Sequence, residues 1–77
     1  MNEQKLKKVV KDVLQIEISD VNENMKFKDM EIWDSMTFMM FIVRTEEAFN
    51  ISFTDDEILE IDCLKKTKEI INRKEQK

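Results

Sequence analysis

Near its N-terminus the chain carries one clean apolar stripe. Leu6, Val9, Val10, Val13 and Leu14 follow the i, i+3, i+4, i+7, i+8 spacing of a helix face. Lys5, Lys7, Lys8, Lys11 and Asp12 fill the opposite side, and Asn2 is a residue type that caps helix N-termini. This pattern predicts a helix over 3–17. From 18 to 34 no period is sustained. Asp20, Asn22 and Asn24 favour turns, because their short side chains bond nearby backbone, while Phe27, Met30 and Ile32 are expected to tuck into the core. A connection of this length is long for a small domain, which makes it either functional or poorly ordered.

A second helix is predicted over 35–49, with Ser35 as its N-cap and Asp34 beside it suiting the positive helix end. Met36, Phe38, Met39, Met40, Phe41, Ile42, Val43 and Phe49 are too many apolar residues for one stripe. Met36, Met39, Ile42 or Val43, and Phe49 make the expected buried face, with Met40 and Phe38 left for solvent. Thr54-Asp55-Asp56-Glu57 is a T-x-x-E capping box, and Phe53 and Ile58 are spaced as a hydrophobic staple, so a short third helix is predicted over 54–61. A fourth is predicted over 63–74, capped by Asp62, with Leu64, Thr67, Ile70 and Ile71 inward. The expectation is an all-α fold: a small four-helix bundle with a long first loop and a short third helix, in a single domain over 1–77.

Composition narrows the chemistry. The 77 residues include no glycine, no proline and no histidine. Ser-His-Asp and Cys-His sites are therefore excluded, as are imidazole zinc ligands and glycine-rich phosphate loops. The single cysteine, Cys63, fits a reducing compartment. The first twelve residues lack the apolar segment of a signal peptide. The longest apolar run, Phe38 to Val43, is six residues against the ~20 that span a bilayer. A cytoplasmic monomer without a membrane span is expected.

The net charge of −4 argues against a nucleic-acid partner. Its distribution says more. Residues 45–64 carry seven acidic groups and no basic one, whereas 65–77 carry six basic and two acidic. The acidic block is either a solvated face or a docking surface that steers basic partners.

The segment Asp34-Ser35-Met36 joins the long loop to the second helix. A serine here sits where backbone N–H groups and the helix dipole favour a phosphate, and an adjacent carboxylate could hold a cation for an enzyme installing one. Taken locally, a plain serine N-cap with an acidic neighbour is the favoured reading. The wider sequence resembles the acyl carrier protein family of phosphopantetheine-dependent carriers over nearly its whole length. Trp33-Asp34-Ser35-Met36 is similar to that family's Asp-Ser-Leu signature, and Phe27 lies eight residues before the serine, where members often have a buried aromatic. Glu46-Glu47-Ala48-Phe49-Asn50-Ile51 resembles the acidic end of the family's second helix, and Phe53-Thr54-Asp55-Asp56-Glu57-Ile58 its capped third helix.

The resemblance implies that Ser35 carries 4′-phosphopantetheine, flanked by Asp34 and Met36 and installed from coenzyme A by a phosphopantetheinyl transferase. The arm would present acyl or aminoacyl thioesters to loading and processing enzymes. The protein itself would not be an enzyme. Thr37, Phe38, Met40, Glu46, Glu47, Asp55 and Asp56 are the expected partner contacts. Two departures stand out. Ile32-Trp33 replaces a small or glycine-containing pair, and Thr37, Phe38 and Met40 stand where fatty-acid members place carboxylates. They point to a specialised carrier, in polyketide, nonribosomal peptide or surface-polymer assembly. Met40 and Phe38 would then make an apolar contact, or else line the core or a cargo cavity.

A rival reading comes from Asp20 to Glu31, which overlays the EF-hand calcium spacing except that Met25 replaces the position-6 glycine. Lys26 and Lys28 put positive charge beside that site. Cys63 is expected at the start of the last helix, as a structural residue or a reactive one.

Overall fold

The computed structural model describes residues 2–20, 22–30 and 33–75. Four helices follow one another: α1 (Glu3–Leu14), α2 (Ser35–Phe49), α3 (Asp55–Glu60) and α4 (Leu64–Glu75). Two 3₁₀ turns, Ile18–Asp20 and Phe27–Asp29, lie in the connection between α1 and α2. No strand forms among the described residues; one isolated bridge pairs Lys26 with Cys63. The fold is a small all-α bundle.

The Asn2 side-chain oxygen starts α1 by accepting from the N–H groups of Gln4 and Lys5, at 2.9 and 3.4 Å. Leu6, Val9, Val10 and Leu14 are buried and Val13 packs against them. The helix stops at Leu14, not at 17. Gln15 turns left-handed with φ 59°, and its N–H returns to the Lys11 carbonyl at 2.9 Å. Asn50 closes α2 in the same way at φ 53°. Without glycine, polar residues take the conformation that glycine holds at least cost.

The core face of α2 keeps Ile42 and Phe49 of the expected one but not Met36 and Met39. Phe41, Ile42, Thr45 and Phe49 are buried. Met36 is 73% exposed, Met39 52%, Met40 46% and Val43 45%. Thr45 sits on the buried stripe because its hydroxyl donates to the Phe41 carbonyl at 2.7 Å, so no polar group is stranded. With that polar residue inside, the surplus methionines turn outward. On α4 the inward set is Leu64, Thr67, Ile70 and Ile71, as the spacing predicts. The Thr67 hydroxyl likewise donates to the Cys63 carbonyl at 3.0 Å.

The capping box of α3 is complete. The Thr54 hydroxyl accepts from Glu57 N–H at 3.2 Å, and the Glu57 carboxylate from Thr54 N–H at 2.8 Å. No residue of α3 is fully buried. The helix hangs between buried Phe53 and buried Ile61, clamped to α4 by Lys74, whose ammonium lies 2.8 Å from Glu57. Asp62 does not cap α4. The first helical bond of α4 runs from Thr67 N–H to the Cys63 carbonyl, one residue later. Asp62 instead ties down the long loop: its carbonyl accepts from Phe27 N–H at 2.8 Å and its carboxylate pairs with Lys26 at 3.9 Å. Glu23 does the same from the other side, accepting Lys65 N–H at its carbonyl and the Lys68 ammonium at its carboxylate. The stretch from Glu23 to Phe27 of the long loop is thus held against the start of α4.

Candidate functional site

The head of α2 is built on aromatic packing. Trp33 is half-buried, its ring stacked on Phe27 at 4.2 Å and within 5.5 and 6.0 Å of Phe38 and Phe41. Phe27 meets Phe41 edge-on at 5.3 Å. Each such pair adds about 0.5–1.5 kcal/mol beyond burial, so the backbone one residue before Asp34 is firmly placed. Phe38 is half-buried, which fits the core- or cavity-lining alternative rather than the solvent-facing one. With Phe27, Trp33 and Ile61 it lines a pocket of about 180 Å³. Ile32 lies outside the described residues.

Asp34 is extended, and its carboxylate accepts the Thr37 N–H at 2.7 Å. Asp34 is therefore the N-cap, and Ser35 is the first helical residue rather than the cap. Both residue types cap well, so sequence left the register open by one. The Thr37 backbone N–H, then the Thr37 hydroxyl and Met36 N–H, hold the Asp34 carboxyl below its ordinary range. The first-turn N–H groups expected to favour a phosphate thus serve Asp34. Ser35 itself is exposed, as are Asp34 and Met36 on either side.

The other expected residues fall into two groups. Glu46 is half-buried, and its carboxylate accepts Phe53 N–H at 2.8 Å, tethering the start of α3 to α2. Thr37 is half-buried beside its cap. Met40, Glu47, Asp55 and Asp56 are exposed. Met36, Met39, Met40 and Val43 line one open groove of about 400 Å³, with Arg44 and Glu47 at its end. Sequence reasoning passed over Trp33 as an anchor and Arg44 as a surface residue. The one signal for Arg44 was that it is the sole charged residue between Ser35 and Thr45.

The calcium reading gains no support. The Asn22 carboxamide oxygen accepts Asn24 N–H at 2.9 Å, and Glu31, its expected twelfth ligand position, lies outside the described residues. Among the described residues no group of three or more Asp, Glu or Cys could hold a metal ion. Cys63 is half-buried at the start of α4. No helix of the described residues is long and apolar enough to cross a membrane.

Ser35 thus stands exposed at the head of a firmly seated helix in a small all-α bundle. Residues 4–71 match the family described as phosphopantetheine attachment site, and the chain belongs to that family. Its cofactor is 4′-phosphopantetheine, held covalently, and its role is to carry cargo as a thioester. The acyl carrier protein of Buchnera aphidicola subsp. Schizaphis graminum is 29% identical over 75 residues, covering 97% of this chain and 95% of the relative.

Proposed function

We propose that Ser35 is the attachment residue and that the protein presents acyl or aminoacyl thioesters to partner enzymes of a specialised pathway. The observation that carries this reading is the exposed Ser35 on the first turn of α2, inside the matched segment. The residues fit the group: Ser35 is exposed, and the following turns offer an open apolar groove rather than a closed cavity. When bound, the arm supplies a thiol at the end of a long tether.

The chain's own residues do the positioning. Asp34, kept ionised, fixes the first turn through Thr37. The Phe27–Trp33 stack anchors the entry to that turn. A transferase would take the Ser35 proton and join the serine oxygen to phosphorus, breaking the pyrophosphate bond of coenzyme A and releasing adenosine 3′,5′-bisphosphate. The protein needs no base of its own and acts as a carrier, not a catalyst. Partner contact falls to Met40, Glu47, Asp55 and Asp56, with Thr37 and Phe38 at the margin and Glu46 committed to Phe53. The specialised pathway is supported by the absence of any carboxylate from 35 to 45. The single free cysteine suits a reducing compartment such as the cytoplasm.

Incubation with coenzyme A and a broad-specificity phosphopantetheinyl transferase tests the assignment by intact mass. One phosphopantetheine is expected on the wild type and none on Ser35→Ala. A wild type that gains nothing, or a Ser35→Ala that still gains the group, overturns it.

A further inference from the structure

Of the expected partner residues, only Glu47 lies on the side of α2 that faces α1. There Lys5, Lys8 and Arg44 line a second groove of about 360 Å³, in company with Asp12 and Glu47. Arg44 and Glu47 also border the methionine groove, so the two form one continuous surface. It is apolar towards Ser35 and has more cations than carboxylates towards α1. Lys5 lies 6.0 Å from the Phe49 ring centroid. None of the three cations has an ion pair among the described residues. Asp12 and Glu47 are exposed as well.

Resting on the carrier reading, we infer that this surface docks a partner helix with an apolar stripe and a flanking carboxylate, which Arg44 receives. Charge complementarity selects that occupant. Arg44 is the one charge between Ser35 and Thr45, and its planar fork matches a carboxylate with two parallel hydrogen bonds. A carboxylate seated beside apolar contacts is partly shielded from water, where such a pair is screened less. Methionines suit the apolar half, because their unbranched thioethers adapt to differing surfaces. A second copy of this chain fits less well. Its matching patch carries the same Lys5, Lys8 and Arg44, so a two-fold contact sets cations against cations.

The test uses two stapled amphipathic peptides that share one leucine stripe, the first flanked by glutamates and the second by lysines. Binding to the phosphopantetheine-loaded protein is followed by amide chemical shifts. The glutamate peptide is expected to bind about tenfold tighter, shifting residues 36–44 together with Lys5 and Lys8. Arg44→Glu should reverse the preference, and Met40→Ser should weaken both peptides. Equal affinities, a preference unchanged in Arg44→Glu, or shifts confined elsewhere would overturn the inference. So would concentration-dependent dimerisation abolished by Met40→Ser. If loading fails, the same titration on the unmodified protein still judges the surface, separately from Ser35.

Discussion

Helices α2 and α3 are joined by five residues, yet they are held by different forces. On α2, Phe41, Ile42 and Thr45 are buried to within 2%, and four aromatic rings brace its first turns. On α3 no residue is fully buried, and Leu59 is 83% exposed. What fixes α3, beside half-buried Ile58 packed on the core, is polar: its capping box, the Glu57–Lys74 pair, and the Glu46–Phe53 bond at its entrance. One helix is a platform set in the core; the other is a flap tied at its corners. The platform holds the backbone beneath its exposed methionines in place, whereas the flap can yield at a cost close to its few ties.

Phe41→Ala attacks the platform and should have the largest effect. It removes a fully buried ring that touches Phe27 and Trp33, at a cost of about 3–5 kcal/mol. Urea denaturation measures it, with cooperative unfolding lost altogether if the margin is smaller. Thr54→Ala attacks the flap and should cost about 1 kcal/mol. Amide exchange should quicken over 55–60 and stay slow over 41–49; equal quickening in both would erase the distinction. Leu59→Ser should fall within about 0.5 kcal/mol of wild type, since its side chain is already in water.

Acid offers a further way to part the two helices. The Glu57 carboxyl is held below its ordinary 4.5, first by the Lys74 ammonium and then by Thr54 N–H. A carboxyl lowered in the folded state adds stability that is complete above 4.5 and disappears as pH falls through the folded value. The wild type should therefore lose stability on acidification below about 4.5. Glu57→Gln should flatten part of that loss, and the amides of α3 should be the first to report it.

The elements most legible in the sequence were those with one physical cause. On α1 and α4 the apolar spacing alone predicts the buried set, and on α3 the reciprocal cap marks the start. α2 was legible in extent but not in face. Its core stripe includes Thr45, whose self-satisfied hydroxyl is invisible to a hydrophobicity pattern, while its outward face is rich in methionine. The cap register at Asp34-Ser35 could not be chosen from two adjacent capping residues. The proposal of Ser35 as attachment residue rests on family likeness, since its local physics favours an ordinary helix-terminus serine. Trp33 as an anchor depends on Phe27 and Phe41, contacts that no local pattern reports.

The two buried threonines have a last consequence. Thr45 and Thr67 are the polar residues of the buried set, and each bonds a carbonyl of its own helix. Among the described residues, then, no buried side-chain hydrogen bond locks one helix to another, and the interior meets only through hydrocarbon and aromatic surfaces. A small sliding of one helix on another would therefore break no buried side-chain hydrogen bond, only exchange packing contacts.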